Sequence, residues 1–321
     1  MVRGRIGIIA SVLVALSLAA CGGSGSTGAS GGKTPYIAIV SKGFSQQFWQ
    51  AVKSGAESEA KKEGARITFE GPPTESDVEK QITMLTNALA KRPDAIGFAA
   101  LDSRAAAPLM QQAKSANIPV IAFDSGVDST VPVTTAATDN KAAAAEDAKH
   151  LSQLLGGKGV VGMVIHDQTS QTGTQRRDGF IDWMKTNAPG ITLLPPQYSS
   201  SDLNKAADIT KSIIAANQDL AGIYGSNEAS AEGVAKGIQE SGKKGVKAVG
   251  FDSGKAQIDA IKSGTLAGAI TQNPIAIGQQ VVVAAMKAIK GVQQPKFINT
   301  GYYWYDSTNI NDPKIQAVLY Q

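Results

Sequence analysis

The chain alternates between two apolar rhythms, one of period two and one of period 3.6. Ile37 to Val40 is a short apolar run that predicts a strand, and Gln46 to Glu63 carries Phe48, Val52 and Ala56 on one face, which predicts a helix. The pair then recurs as strand Ile67–Glu70, helix Ser76–Lys91, strand Ala95–Phe98, helix Ala105–Ala116 and strand Val120–Phe123. Ile118 precedes Pro119 and is steered away from helical backbone, so the last helix must stop there. After Thr134–Thr138 the rhythm restarts with helix Asn140–Leu155 and strand Val160–Ile165. Helix Thr174–Thr186, strand Ile191–Leu194, helix Leu203–Ala216, strand Gly222–Tyr224, helix Ala229–Ser241 and a strand ending at Asp252 follow. A strand at Ala267–Thr271, a helix at Ile275–Lys290 and the aromatic segment Tyr302–Tyr305 complete the series. Strands alternating with helices predict an α/β fold in which right-handed crossovers build parallel sheets, here in two Rossmann-like lobes.

Two of the predicted strands end alike, in Phe123-Asp124-Ser125-Gly126 and Phe251-Asp252-Ser253-Gly254. A buried parallel strand presents its last residue at the carboxyl edge of the sheet, and in open α/β sheets that edge is where ligands sit. Asp124 and Asp252 therefore read as one carboxylate from each lobe facing a shared cleft. Either alone also reads as the cap of a following helix, a role aspartate favours.

With 321 residues, 42% of them hydrophobic and 18% charged, the chain has material for two cores. A formal net charge of +4 without a basic run excludes nucleic acid as a partner. At the amino end Arg3 and Arg5 precede an apolar run, Ile6 to Leu18, that is short for a permanent span and has the form of an export leader. The run closes on Leu18-Ala19-Ala20-Cys21-Gly22, which resembles a bacterial lipoprotein signal whose cleavage leaves a lipid-modified Cys21. Cys21 is the single cysteine, so no disulfide forms within the chain. Gly22 to Gly32 is rich in glycine and serine and reads as a flexible tether.

Several motifs fail on context. Gly157 to Gly162 spells G-x-G-x-x-G but precedes a strand instead of opening a helix, so it is not a dinucleotide loop. Gly250 to Lys255 is one residue short of a phosphate loop and lacks the following hydroxyl. There is no nucleophile elbow, zinc-protease helix or calcium loop, and no cofactor is implied. Of two histidines, His150 sits in a charged helix and reads as solvated; His166 follows a strand, within reach of the cleft, but reads first as a structural residue and is not counted among the site candidates.

An ordered set of motifs carries a resemblance over nearly the whole chain after the tether. They are Phe48-Trp49 with Gly55-Ala56, Ala116 to Ile121 with Asp124, Asp139-Asn140, Arg176 before Asp178-Gly179-Phe180, Ser226-Asn227-Glu228, Val249 to Asp252, and Ile270-Thr271-Gln272. In this order they are similar to the class I periplasmic sugar-binding proteins, near ribose-binding protein, which feed ABC importers. The resemblance implies two lobes joined by a hinge, residues 35–138 plus 273–300 and 139–272 plus 301–321, behind a leader (1–21) and tether (22–34). It implies a monomer that captures a pentose, hexose or polyol, delivers it to a membrane permease and is held at the membrane by its lipid. Asp124, Asp252 and Asn227 match positions that bond sugar hydroxyls, Arg176 the arginine of the second lobe, Gln272 a hinge residue and Trp49 an aromatic wall. Planar bidentate groups suit the hydroxyl edge of a sugar and an aromatic face suits its C–H faces.

Departures from the ribose pattern bear on the ligand. Ser125 replaces an arginine, serines stand at 199–201 where an aromatic is expected, and Lys42 and Gln46 replace smaller polar residues. Lys42 and Gln46 join the candidate site, but ribose itself is not implied. Trp49 also reads as core and Asn227 as a helix cap; Arg177 reads as a solvated helix face. Three other classes share parts of this pattern: a sugar-responsive repressor lobe, which lacks its helix-turn-helix here, a receptor module that presents sugar to a membrane kinase, and a glycosidase using two carboxylates.

Overall fold

A computed structural model describes residues 33–320, so the leader, Cys21 and nearly all of the tether lie outside the described residues. The first half of the rhythm is β1 (Tyr36–Val40), α1 (Gln47–Glu63), β2 (Arg66–Glu70), α2 (Val78–Ala90), β3 (Ala95–Phe98), α3 (Ala107–Ser115), β4 (Val120–Phe123) and β5 (Thr134–Ala137). The second half is α4 (Asn140–Leu154), β6 (Lys158–Ile165), α5 (Gln171–Asn187), β7 (Gly190–Leu193), β8 (Gln197–Tyr198), α6 (Leu203–Ala216), β9 (Leu220–Gly225), α7 (Glu228–Ser241), β10 (Lys247–Phe251), α8 (Lys255–Lys262) and β11 (Gly268–Gln272). The chain then makes α9 (Pro274–Ile289), β12 (Phe297–Asn299), β13 (Tyr302–Tyr305) and α10 (Pro313–Gln316).

The strands form two sheets. One runs β12-β5-β4-β3-β1-β2, all parallel; the other runs β13-β11-β10-β9-β6-β7, with β8 also on β6 and only β13 antiparallel to its neighbour. The α/β fold with two parallel-sheet lobes expected from the rhythm is borne out. Both faces of each sheet are buried: Ile37 and Ile39 of β1 enter one core while Tyr36, Ala38 and Val40 enter another. The chain passes between the sheets three times, after β5, after β11 and between β12 and β13. At the second passage α9 returns to lie on α1, backbone against backbone. A Cβ at Gly278 would run into the Val52 carbonyl, and one at Gly55 into that of Ile275.

Three strands lack a signal in the apolar rhythm. β5 is Thr-Thr-Ala-Ala, β8 has two residues, and β12 is Phe-Ile-Asn held by pairing to β5. Tertiary pairing, not local pattern, makes the three strands. α8 does present an apolar face, Ile258 and Ile261, but at eight residues it is too short to stand out among the longer helices. His150, expected to be solvated, instead lies half buried and stacks on Trp304 with ring centroids 3.9 Å apart.

Candidate ligand-binding site

The carboxyl ends of the parallel strands from both sheets bring polar residues to one place. Lys42 follows β1, Glu75 lies in the loop after β2 and Asp124 follows β4. From the other lobe His166 follows β6, Asn227 follows β9, Asp252 follows β10 and Gln272 ends β11. Arg176 reaches in from the second turn of α5. These residues, with Gln46, Phe48 and Trp49, surround a single cavity. The eight residues singled out from the sequence, Lys42, Gln46, Trp49, Asp124, Arg176, Asn227, Asp252 and Gln272, are thus brought together.

The repeated aspartates share an unusual backbone: φ is +54° at Asp124 and +86° at Asp252. A positive φ is strained for any residue but glycine and is most tolerable for Asn and Asp. Such strain persists where the surroundings over-determine it, and it clusters at functional sites. Here the strained turn aims a carboxylate off the end of each central strand. Neither aspartate is the N-cap residue of the next helix; that of α8 is Gly254.

Asp252 is the hub of the second lobe. Its Oδ1 accepts from Gln272 Nε2 at 2.7 Å, its Oδ2 accepts from the Glu228 backbone N–H at 2.9 Å, and Arg176 Nη1 lies 3.8 Å away. The Arg176 guanidinium lies 3.7 Å over the Phe251 ring and donates to Asn140 Oδ1 at 2.8 Å and to the Ser226 carbonyl at 2.9 Å. Stacking and a fixed fork of donors hold it in one orientation. Gln272 also accepts from the Thr138 hydroxyl at 2.8 Å, which ties the first and second passages between lobes together.

In the first lobe the carboxylate of Glu75 collects donors from both sides. The Trp49 indole N–H donates to it at 2.6 Å and the Ser201 hydroxyl of the other lobe at 2.7 Å; Lys42 Nζ lies 3.7 Å away. Lys42 also donates to Thr172 Oγ1 across the cleft at 3.1 Å and lies 3.9 Å from Asp167. Burial works against its charge, but Glu75, Asp167 and Asp124 outweigh it and hold the Lys42 ammonium above its ordinary pKa. Burial pushes Asp124 up to about 7, partly offset by Lys42 and Arg176. His166 is held well below its usual value, chiefly by burial, and is a neutral imidazole between Ser226 Oγ (2.7 Å) and Thr172 Oγ1 (3.3 Å).

Two pairs of readings left open by the sequence coexist. Asn227 caps α7 by accepting from the Ser230 N–H through Oδ1, while its Nδ2 donates to Ser201 Oγ at 3.1 Å. Trp49 is buried in the first lobe's core, edge-on to Phe48 and Phe123, yet its indole N–H reaches the cluster. Arg177 pairs with its neighbour Asp178 at 2.7 Å, on the half-exposed side of α5. Glu75, Thr172 and Ser201 were not singled out from sequence. Glu75 had a signal, an acid beyond the end of a strand, and Ser201 lies in the serine run 199–201 that stands where the family pattern has an aromatic; Thr172 had none.

The cavity at the cluster measures about 10 Å³, room for about one water. Ligand pockets for small molecules span roughly 300–1,000 Å³, so the side chains of the two lobes are closed on one another. A larger hollow, about 560 Å³ between Leu194, Asp208 and Asn217, lies beside α6. It contains none of the strand-end residues.

Fold and cluster together define a two-lobed α/β protein whose polar groups meet at the facing edges of its sheets. The chain belongs to the periplasmic binding protein family: a profile of the periplasmic binding protein domain matches residues 37–293. It is similar to the D-allose-binding periplasmic protein of Escherichia coli (strain K12), 29% identical over 251 residues, 75% of this chain and 80% of that one. It is also similar to the xylitol-binding protein of Mycolicibacterium smegmatis, 26% identical over 274 residues, 85% of this chain and 77% of that one. A solved ABC transporter solute-binding protein from Agrobacterium vitis with bound D-fucose superposes with a TM-score of 0.86 at 34% identity, covering 89% of this chain and 100% of that chain. The resemblance to class I sugar-binding members is therefore borne out. These relatives are binding proteins and not enzymes, which removes the glycosidase reading. The family places the folded body outside the cytoplasm, and no helix among the described residues is long and apolar enough to cross a membrane.

Proposed function

We propose that this protein captures a neutral monosaccharide or polyol between lobes 35–138 plus 273–300 and 139–272 plus 301–321, and presents the closed form to an ABC permease. The observation that carries this reading is the convergence of buried donors and acceptors from both lobes: Lys42, Glu75 and Asp124 face Arg176, Asn227 and Asp252. A sugar's hydroxyls donate to the carboxylates and accept from Lys42, Arg176 and Asn227, replacing the pairings the side chains make with each other. Because the ligand touches both lobes, it binds the closed state better than the open one, and only such a difference shifts the population. Carboxyls from both lobes line the cavity beside two cations, Lys42 and Arg176, a balanced lining that a neutral polyhydroxy ligand matches without bringing an unpaired charge. Relatives named for D-allose and xylitol, and a neighbour holding D-fucose, support a neutral polyhydroxy ligand.

A thermal-shift screen of D-allose, D-ribose, D-fucose, xylitol and a uronic acid tests this directly. A ligand of the native state present at a hundred times its Kd stabilises by about 2.7 kcal/mol, so one neutral compound is expected to raise the melting temperature saturably. The reading fails if only the uronic acid does so, or if none of a wider set of pentoses, hexoses and polyols does. The leader and Cys21 further support lipid anchoring on the outer face of the membrane. Cys21→Ser is expected to move the protein from the membrane fraction to the soluble one.

A further inference from the structure

Most helices in this fold supply their own N-cap. Asp77, Asp139, Ser170, Asp202, Asn227, Asn273 and Asp312 each accept a backbone N–H of the helix they begin. The turn leading into α3 is held by Asp102, which accepts the Arg104 and Ala105 N–H groups. α1 and α8 have no such local device: their N-cap residues, Gln46 and Gly254, make no side-chain cap. Both ends are instead capped from the opposite lobe. Glu228, on α7, accepts the Gln47 N–H at 2.9 Å and the Phe48 N–H at 3.0 Å, one on each carboxylate oxygen. In return the side chain of Gln47 accepts the Lys255 N–H at the start of α8, at 2.6 Å.

We propose that Glu228 and Gln47 are positioning residues that latch the two lobes by reciprocal helix capping and so set how often the cleft closes without sugar. This rests on the two-lobe capture reading above. The site is shaped for the exchange. Gly254 has an ordinary backbone, φ −59° and ψ 159°, so it is not required by conformation. A Cβ there would come within 3.0 Å of the Glu228 carboxyl carbon and 3.2 Å of Gln47 Oε1, so both latch side chains pack closely onto it. The latch is also wired to the cluster. The Glu228 backbone N–H donates to Asp252, and the turn of α1 that its side chain caps carries Gln46 and Trp49. Helix amino ends left without a partner are satisfied by water when the lobes part, so closure exchanges hydration for these three hydrogen bonds.

Hydrogen exchange at single-residue resolution on the sugar-free full chain, with the radius of gyration from small-angle scattering, tests the latch without needing a ligand. It is therefore decided separately from the sugar screen. In Glu228→Ala the Gln47 and Phe48 amides are expected to exchange up to about tenfold faster, the scale set by a net hydrogen bond to a largely neutral carboxyl. The Lys255 amide, which Glu228 does not touch, is expected to follow them, and the radius of gyration to rise. Gln47→Ala, a half-buried change with little risk to folding, is expected to expose Lys255 and to speed exchange at Phe48. Amides in the centre of β1 and β9 stay unchanged. If Glu228→Ala leaves Lys255 exchange and the radius of gyration as they were, the contacts are local and the latch is overturned. It is equally overturned if Gln47→Ala leaves Phe48 protected.

Discussion

Asp252→Ala is expected to weaken binding of the screened sugar about a hundredfold, close to 3 kcal/mol, the low end of what breaking a buried charge pair costs. The loss has two parts. One is direct: an acceptor for a sugar hydroxyl disappears from the second lobe. The other runs through neighbours, because Gln272, the Glu228 backbone N–H and Arg176 all converge on this carboxylate. Without it Arg176 keeps the neutral acceptors Asn140 and Ser226 and loses the one carboxylate within ion-pair distance of it among the described residues. Alanine also has to occupy φ +86°, where it has none of aspartate's tolerance. Asp252→Asn separates these effects. It suits the same backbone and keeps an acceptor for Gln272 or a hydroxyl, but removes the charge, so its affinity is expected to fall between wild type and alanine. Titration calorimetry with the screened sugar reads both variants, and an unchanged affinity in Asp252→Ala would remove Asp252 from the site.

The sequence carried the fold wherever burial is expressed in a single strand or helix. β3, β4 and α6 have the expected limits because each is a complete apolar run or amphipathic stretch between turn residues. β5 and β12 were illegible because their stability comes from what they pair with, and α8, though amphipathic, is too short to register. The site followed the same division. Residues at the ends of strongly apolar strands, Asp124, Asp252 and Asn227, were legible because topology alone assigns that edge. Glu75 was visible in principle, but the loop Gly71–Ser76 contains two prolines and gives no hint that it folds back over Trp49. Thr172 is a cleft residue only because the lobes close, a long-range fact that no local pattern encodes, and Ser201 was visible only through the family pattern, as a serine in an aromatic's place. The bland and the functional readings of Asn227 and Trp49 also could not be separated from sequence, since each residue uses one set of atoms for each role.

Unfolding free energy is expected to fall by on the order of 5 kcal/mol as pH rises from about 6 to about 9, counting about 1.4 kcal/mol per pKa unit. The cause is carboxyls that hold protons in the folded state and not in the unfolded one. Asp124 is raised to about 7 by burial, and Glu228 to about 8 by burial and by Asp252, against the two amide hydrogen bonds that favour its charge. Glu232 is raised to about 7 by burial and Asp252, and Asp147, wholly buried, lies well above its ordinary value. For a raised pKa the stabilisation is complete below the unfolded value and is lost as pH climbs through the folded one. Native protein therefore binds more protons than unfolded protein across this window, and stability declines. His166 acts oppositely, since it is held neutral when folded, but its contribution is complete once the unfolded imidazole has lost its proton near pH 6.5. Urea melts at constant ionic strength measure the slope. Glu228→Gln is expected to flatten it between pH 7 and 8, and Asp124→Asn between pH 6 and 7. A stability that stays level or rises through the window would mean that both carboxyls are charged in the closed cleft. The balance between lobes follows the same sign: parting the lobes hydrates Asp124 and Glu228 and lets them ionise, so alkaline conditions favour the open form.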